Sequence, residues 1–197
     1  MRLYTRDGAG RPPRVAWALE EAGAPYELVK LTPEQTRGEE HRRRQPLGRV
    51  PVLDDGEGFL FESAALCLHV ADRNPQAELI APVGSHERAL AYQWSLFAMT
   101  ELEPAIIEAY RFRESDPERS AAALERFAAA AAAVDDALGE HDFLIGERFS
   151  IADVIVGSVL AISRRFEHAE LLAPRSAAYL TRMEQRPARV RAYAALA

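Results

Sequence analysis

Two short stretches hold the residues best suited to chemistry. Glu62-Ser63 sets a carboxylate beside a hydroxyl at the mouth of an apolar helical pattern, where free helix amides and that hydroxyl would meet a small carboxylated ligand. Val50-Pro51 opens the apolar run Val52-Leu53, and a cis Pro51 would turn the Val50 N–H and C=O outward to pair with an extended peptide. A plainer reading makes Pro51 a turn proline and Ser63 an N-cap. The residues alone leave both readings open.

Other chemistries find little support. The five histidines, His41, His69, His86, His141 and His168, are widely spaced and form no HExxH or clustered ligand pattern, so no metal site is expected. No GxSxG or GxxxxGK[ST] motif occurs, and Gly8-Ala9-Gly10 lacks the third glycine and the later acidic residue of a dinucleotide site. The single Cys67 excludes an intramolecular disulfide and a CxxC redox pair, and its apolar setting reads as a small buried hydrophobe. A net charge of -6 argues against nucleic acid and anionic membranes as partners. No apolar run reaches the roughly 18 residues of a membrane span, and Met1 leads straight into a strand-like segment, so the expected compartment is the cytoplasm.

The elements that must position these residues read as follows. Arg2 to Thr5 is a strand, Arg6 to Gly10 a loop, Arg11 to Ala22 a helix that tolerates Pro12 and Pro13 in its first turn, and Tyr26 to Leu31 an alternating strand. Residues 32 to 44 are charged and fit either a solvated irregular helix or an ordered recognition loop. Val50 to Leu53 and Phe59 to Phe61 form a hairpin about Asp54 to Gly58, and a helix follows from Ser63 until Asn74-Pro75 breaks it. That order implies a small mixed sheet with helices against it. Beyond Pro82 the pattern is helical throughout: a long helix from Ser85 to about Tyr110 kinked at Pro104, a regular one from Ser120 to Leu138, an almost wholly apolar one from Ile151, and one or two outer helices within 176–196. Ser150 and Asp153 form a capping box at the apolar helix. The expected division is an α/β domain over residues 1–75, a linker at 76–84 and an all-α helical bundle over 85–197.

Taken in order, four segments carry a resemblance: Arg14-Val15-Ala16-Trp17-Ala18-Leu19-Glu20-Glu21, Pro46-Leu47-Gly48-Arg49-Val50-Pro51-Val52-Leu53, Glu62-Ser63-Ala64-Ala65 and Gly146-Glu147-Arg148-Phe149-Ser150-Ile151-Ala152-Asp153. Together the chain resembles the soluble glutathione transferase family. The resemblance implies a thioredoxin-like α/β first domain, an all-helical second domain, a homodimer, and glutathione lying across the first domain as co-substrate. It implies that Val50 pairs through its backbone with the cysteinyl part of glutathione beside a cis Pro51. Glu62 and Ser63 would hold the γ-glutamyl end, with Arg49 beside it and Arg11 near the thiol. His41, or an arginine among Arg42 to Arg44, would reach the glycyl carboxylate. Ser150 and Asp153 would be structural, and Tyr92, Trp94 and Phe97 would either line a hydrophobic co-substrate site or pack in the core.

The family's thiol-activating Tyr, Ser or Cys has no clear counterpart. Thr5 stands where the tyrosine would, and Gly10 and Pro12 or Pro13 stand where serine or cysteine would. A donor that lowers the thiol pKa from about 8.5 is still needed; Thr5, Arg11 and an amide within Gly8 to Arg11 are the candidates. Tyr4 should alternate to the other face of its strand. The expected activity is attack of glutathione thiolate on a small hydrophobic electrophile. The alternatives are a non-catalytic binding or regulatory protein of the same fold, and a glutathione-dependent reductase or lyase.

Overall fold

In the computed structural model, which describes residues 1–196, the first strand β1 (Arg2–Thr5) runs parallel to β2 (Glu27–Lys30) and antiparallel to β3 (Val52–Asp54), which pairs in turn with β4 (Phe59–Phe61). The sheet order is β2-β1-β3-β4. Register places Leu3 opposite both Leu28 and Leu53, and Leu3, Val52 and Leu53 are wholly buried. Successive strand residues face opposite ways, so Leu3 and Thr5 share one face of β1 and Arg2 and Tyr4 the other.

Helix α1 (Pro12–Glu21) packs on β1 and on α4 (Ser63–Arg73), burying Val15, Trp17, Leu19, Leu66 and Val70. Each such side chain contributes about 1.5–3 kcal/mol over its exposed state, and this shared core fixes where the starts of α1 and α4 lie. The charged stretch at 32–44 folds as two short helices, α2 (Pro33–Arg37) and α3 (Glu39–Arg44), separated at Gly38. Thr32 starts α2 with a capping box: its hydroxyl accepts from the Gln35 N–H at 3.2 Å, and Gln35 Oε1 accepts from the Thr32 N–H at 2.7 Å.

The chain divides into two compact units, one comprising Met1–Leu79 together with the stretch from Arg186, the other Ile80–Gln185. The last helix therefore differs from its sequence assignment to the helical bundle. It belongs to the first unit, where its small residues Ala188 and Ala192 are buried and the helix lies against α1. A bidentate pair from Arg186 to Glu21, at 2.6 and 2.8 Å, and a 2.7 Å bond from Arg191 to Glu20 fasten it.

The second unit contains α5 (His86–Phe97), α6 (Glu103–Phe112), α7 (Pro117–Leu138), α8 (Ile151–Arg165) and α9 (Pro174–Glu184); the last helix, Pro187–Ala194, is α10. A π-helical segment, Ala98–Leu102, separates α5 from α6 just before Pro104. The expected kink is thus spread over one wider turn next to a residue that lacks an amide donor. At the start of α8 the Asp153 carboxylate accepts from the Ser150 N–H at 2.8 Å, the Ser150 hydroxyl at 2.9 Å, the Leu144 N–H at 3.0 Å and the Tyr179 hydroxyl at 3.0 Å. Burial pushes the Asp153 pKa up, and those donors oppose it. Among the described residues no helix is long and apolar enough to cross a membrane.

Candidate functional site

The start of α4 is built differently from a serine-capped helix. Glu62 occupies the N-cap, with φ 71° and ψ 108° and no side-chain cap bond, and Ser63 is the first helical residue. The reading of Ser63 as N-cap is thereby corrected. A non-glycine residue with this backbone stores on the order of 1–3 kcal/mol of strain and persists only where its surroundings hold it. Ser63 is 3% exposed, and its Oγ accepts a 2.8 Å hydrogen bond from Nη1 of Arg14, itself 1% exposed in the first turn of α1. The hydroxyl's own proton remains available for an acceptor in front of the helix, alongside the N–H groups of the first turn. A guanidinium behind that hydroxyl adds positive charge to a helix start that already favours anions.

The segment before β3 is clamped from two sides. Gln45 Oε1 accepts from the N–H of Leu47 at 2.7 Å and of Arg49 at 2.9 Å. His41 Nε2 lies 2.9 Å from the Arg49 carbonyl; a carbonyl only accepts, so Nε2 carries the proton. Gly48 sits between them with φ +65°, and a Cβ there would lie 2.5 Å from the Thr36 carbonyl oxygen. With both ends of the Arg49 peptide engaged, the chain enters the Val50–Pro51 bond, which is cis.

A cavity of about 450 Å³ lies beside this edge, lined by residues of the β1–α1 loop, α2 and the Gly48–Val50 segment. Arg11, Arg49 and Val50 line it; Thr5 does not. Thr5 is 1% exposed at the end of β1, its carbonyl bonded to the Leu31 N–H at 2.8 Å. Of the three activating groups open in the sequence, Arg11 and the loop amides therefore border the cavity. The Ala9 amide is committed to the Arg6 carbonyl at 3.1 Å, and Pro12 and Pro13 have no N–H to offer. Tyr4 takes the opposite face of β1, as alternation requires, and lines a separate cavity of about 530 Å³ with the Arg44 guanidinium 4.7 Å from its ring centre. His41, considered for a glycyl carboxylate, is 1% exposed and engaged with Arg49; its Nδ1 is buried without a hydrogen-bond partner.

Cys67 lies fully buried in α4, its thiol 3.7 Å from the Arg14 carbonyl oxygen. Burial drives its pKa up to about 12, against a smaller downward pull from the Arg14 charge. Within the second unit, Tyr92, Trp94 and Phe97 all belong to α5. Trp94 and Phe97 meet edge to face at 5.4 Å, whereas Tyr92 is exposed and its hydroxyl accepts from Arg88 Nε at 2.6 Å. Among the described residues no group of three or more His, Cys, Asp or Glu is placed to hold a metal ion.

Arg14, Gln45 and the positioning role of His41 were not picked out from the sequence. An arginine inside the apolar pattern of α1 carried one weak signal, since Arg14 shares a turn with Val15 and Ala18, both wholly buried.

Comparison with known proteins identifies the family. Residues 1–72 match the glutathione S-transferase N-terminal domain and residues 117–195 the glutathione S-transferase C-terminal domain. The chain is 30% identical over 178 residues to glutathione S-transferase GstA of Escherichia coli O157:H7, covering 86% of each chain. With glutathione S-transferase 1 of Zea mays the identity is 38% over 96 residues, 48% of this chain, so the matched stretch spans 44% of that relative's length. A glutathione transferase family member from Pseudomonas fluorescens pf-5, solved with two glutathione bound, superposes with a TM-score of 0.87 at 27% identity, covering 97% of this chain and 91% of the other. The chain belongs to the glutathione S-transferase family.

Proposed function

We propose that the protein binds glutathione at the start of α4 and along the Val50 edge, and promotes attack of its thiolate on a small hydrophobic electrophile. The observation that carries this reading is the 2.8 Å bond from Arg14 to Ser63 Oγ, which leaves the Ser63 hydroxyl proton to a carboxylate in front of the helix. The γ-glutamyl carboxylate fits that position, with Glu62 close by for the ammonium group. Val50 N–H and C=O then pair with the cysteinyl amide, and Arg49 flanks the ligand. The thiol falls near the β1–α1 loop, where Arg11 and the amides of Gly8, Gly10 and Arg11 favour the thiolate over the thiol. The sulfur electron pair forms the new C–S bond while the leaving group departs, and the thiol proton passes to solvent. No metal or redox cofactor enters; glutathione is a co-substrate. The family habit supports a homodimer and placement in the cytoplasm.

A second reading, a glutathione-binding or regulatory protein without turnover, is favoured by one observation: Thr5 is buried and does not line the cavity. Reductase or lyase chemistry through a cysteine is opposed by the burial of Cys67. Titration calorimetry with glutathione, followed by turnover of an electrophile panel, separates the readings. Saturable binding with rates above the uncatalysed reaction supports the transferase. Binding without turnover favours the binding protein, and absence of saturable binding removes both.

A further inference from the structure

We propose that the cavity on the other face of the sheet is a second binding site, for a small neutral aromatic molecule that carries a hydroxyl group. Strand alternation and register build its floor. Arg2 stands opposite Glu27 and Tyr4 opposite Val29, so these four side chains share one face, and Leu31, two residues beyond Val29, continues it. The wall comes from α2 and α3, with Gln35, Gly38 and His41 in the lining. The space is about 530 Å³, within the range that small-molecule sites occupy. It shares no lining residue with the 450 Å³ cavity proposed for glutathione: α2 lends Gln35 to one, and Pro33, Thr36 and Arg37 to the other.

Two observations name the chemistry of the ligand. Every charged residue in the lining already has a partner: Arg2 with Glu27 at 3.2 Å, Arg44 with Glu40, and Glu39 with Arg43 at 2.6 Å. An ionic ligand would lose hydration there with no charge left over to offset the loss. The second observation is a polar group left open. Tyr4 is 6% exposed, yet among the described residues its hydroxyl has no hydrogen-bond partner, although buried hydroxyls are nearly always matched. His41 Nδ1 is a further buried atom without a partner in the same lining. The Tyr4 ring is held by the Arg44 guanidinium and by Phe59, whose ring meets it edge to face at 6.2 Å, so its hydroxyl keeps a fixed position. A ligand hydroxyl answers that of Tyr4 as donor or as acceptor, while the ligand ring lies on the apolar floor of Val29 and Leu31.

The test measures binding of 2-naphthol, naphthalene and 2-naphthoate to the full chain by calorimetry at neutral pH. Saturating S-(dinitrophenyl)glutathione is present to occupy the glutathione site and the electrophile position beside it. 2-Naphthol should bind saturably and several-fold more tightly than naphthalene, the scale of one hydrogen bond, and naphthoate should bind more weakly than either. Tyr4→Phe, checked for an unchanged melting temperature, should bring naphthol down to the affinity of naphthalene and leave naphthalene itself unaltered. Val29→Trp, which fills the floor, should remove binding of both, and it carries the test alone if Tyr4→Phe does not fold. The two variants locate the binding whether or not the conjugate binds, so the proposal and the glutathione reading fail separately. No saturable naphthol binding, naphthoate bound as tightly as naphthol, a naphthol preference that survives Tyr4→Phe, or full naphthol affinity in Val29→Trp overturns the proposal.

Discussion

Arg14 Nη1 donates to Ser63 Oγ across 2.8 Å, and this bond ties the first turn of α1 to the first turn of α4 beneath the candidate ligand. Both residues are nearly inaccessible, so the pair acts on whatever Ser63 touches rather than on solvent. The pair also gives a reason for a buried arginine beside the apolar residues of α1: it polarises a buried hydroxyl.

Ser63→Ala therefore has two effects. It removes the Ser63 Oγ acceptor of Arg14 Nη1, at a cost of about 1–3 kcal/mol in stability, and it removes a charge-assisted contact to the ligand. Chemical denaturation should show the first effect, and calorimetry should show at least a roughly tenfold weaker glutathione affinity. Unchanged affinity with lowered stability would reduce Ser63 to a structural residue.

Arg14→Lys keeps the charge but cannot reproduce the fixed geometry of a guanidinium. The variant is expected to fold, as judged by circular dichroism, and to bind glutathione several-fold more weakly. Full affinity in this variant would show that Ser63 works without its arginine.

Glu62→Gly should separate strain from function. Glycine adopts φ 71° without the steric cost, which offsets the greater entropy it loses on folding, so the melting temperature should hold or rise. Glutathione affinity should fall nonetheless, through loss of the carboxylate. A stabilised variant with unaltered affinity would remove Glu62 from the site.

Gly48→Ala should disturb the Val50 edge through the backbone. The added methyl meets the Thr36 carbonyl oxygen at 2.5 Å in a backbone conformation that L residues rarely adopt, so the clamped segment has to shift. Weaker glutathione binding with intact helical content is expected, and wild-type affinity would show that the clamp does not position Val50.

With burial raising its pKa to about 12, Cys67 stays a thiol in the folded protein at pH 8. Thiol reagents should label it only after unfolding. The sign of the pH dependence follows from the same shift. The unfolded thiol ionises near 8.5, so the folded state holds its proton more tightly, and stability contributed by Cys67 falls as pH rises from about 8.5 toward 12. A Cys67→Ala variant should lose that part of the alkaline slope in denaturation experiments.

Much of the fold was legible because apolar periodicity reports burial directly. The strands at Arg2–Thr5 and Phe59–Phe61, the regular helix α7 and the buried α8 all follow from it. The destination of α10 did not, since a short helix with two buried alanines does not name its partner; Glu20 and Glu21, far away in sequence, supply that. At the site, the motif around Val50 and Ser63 stood out, but the shift of the cap from Ser63 to Glu62 depends on one backbone angle that residue type does not encode. Arg14 and Gln45 were hidden for a related reason. An arginine or glutamine looks like surface until a partner distant in sequence, or a pair of backbone amides, is seen to claim it.

The central claim, that this chain binds glutathione and holds its sulfur as thiolate beside the β1–α1 loop, is tested most directly by titrating the ultraviolet absorbance of bound glutathione thiolate against pH. The account predicts saturable binding and a bound-thiol midpoint at least about one unit below that of free glutathione, near the ordinary thiol value of about 8.5. A midpoint equal to that of the free thiol, or no saturable signal at all, would contradict it.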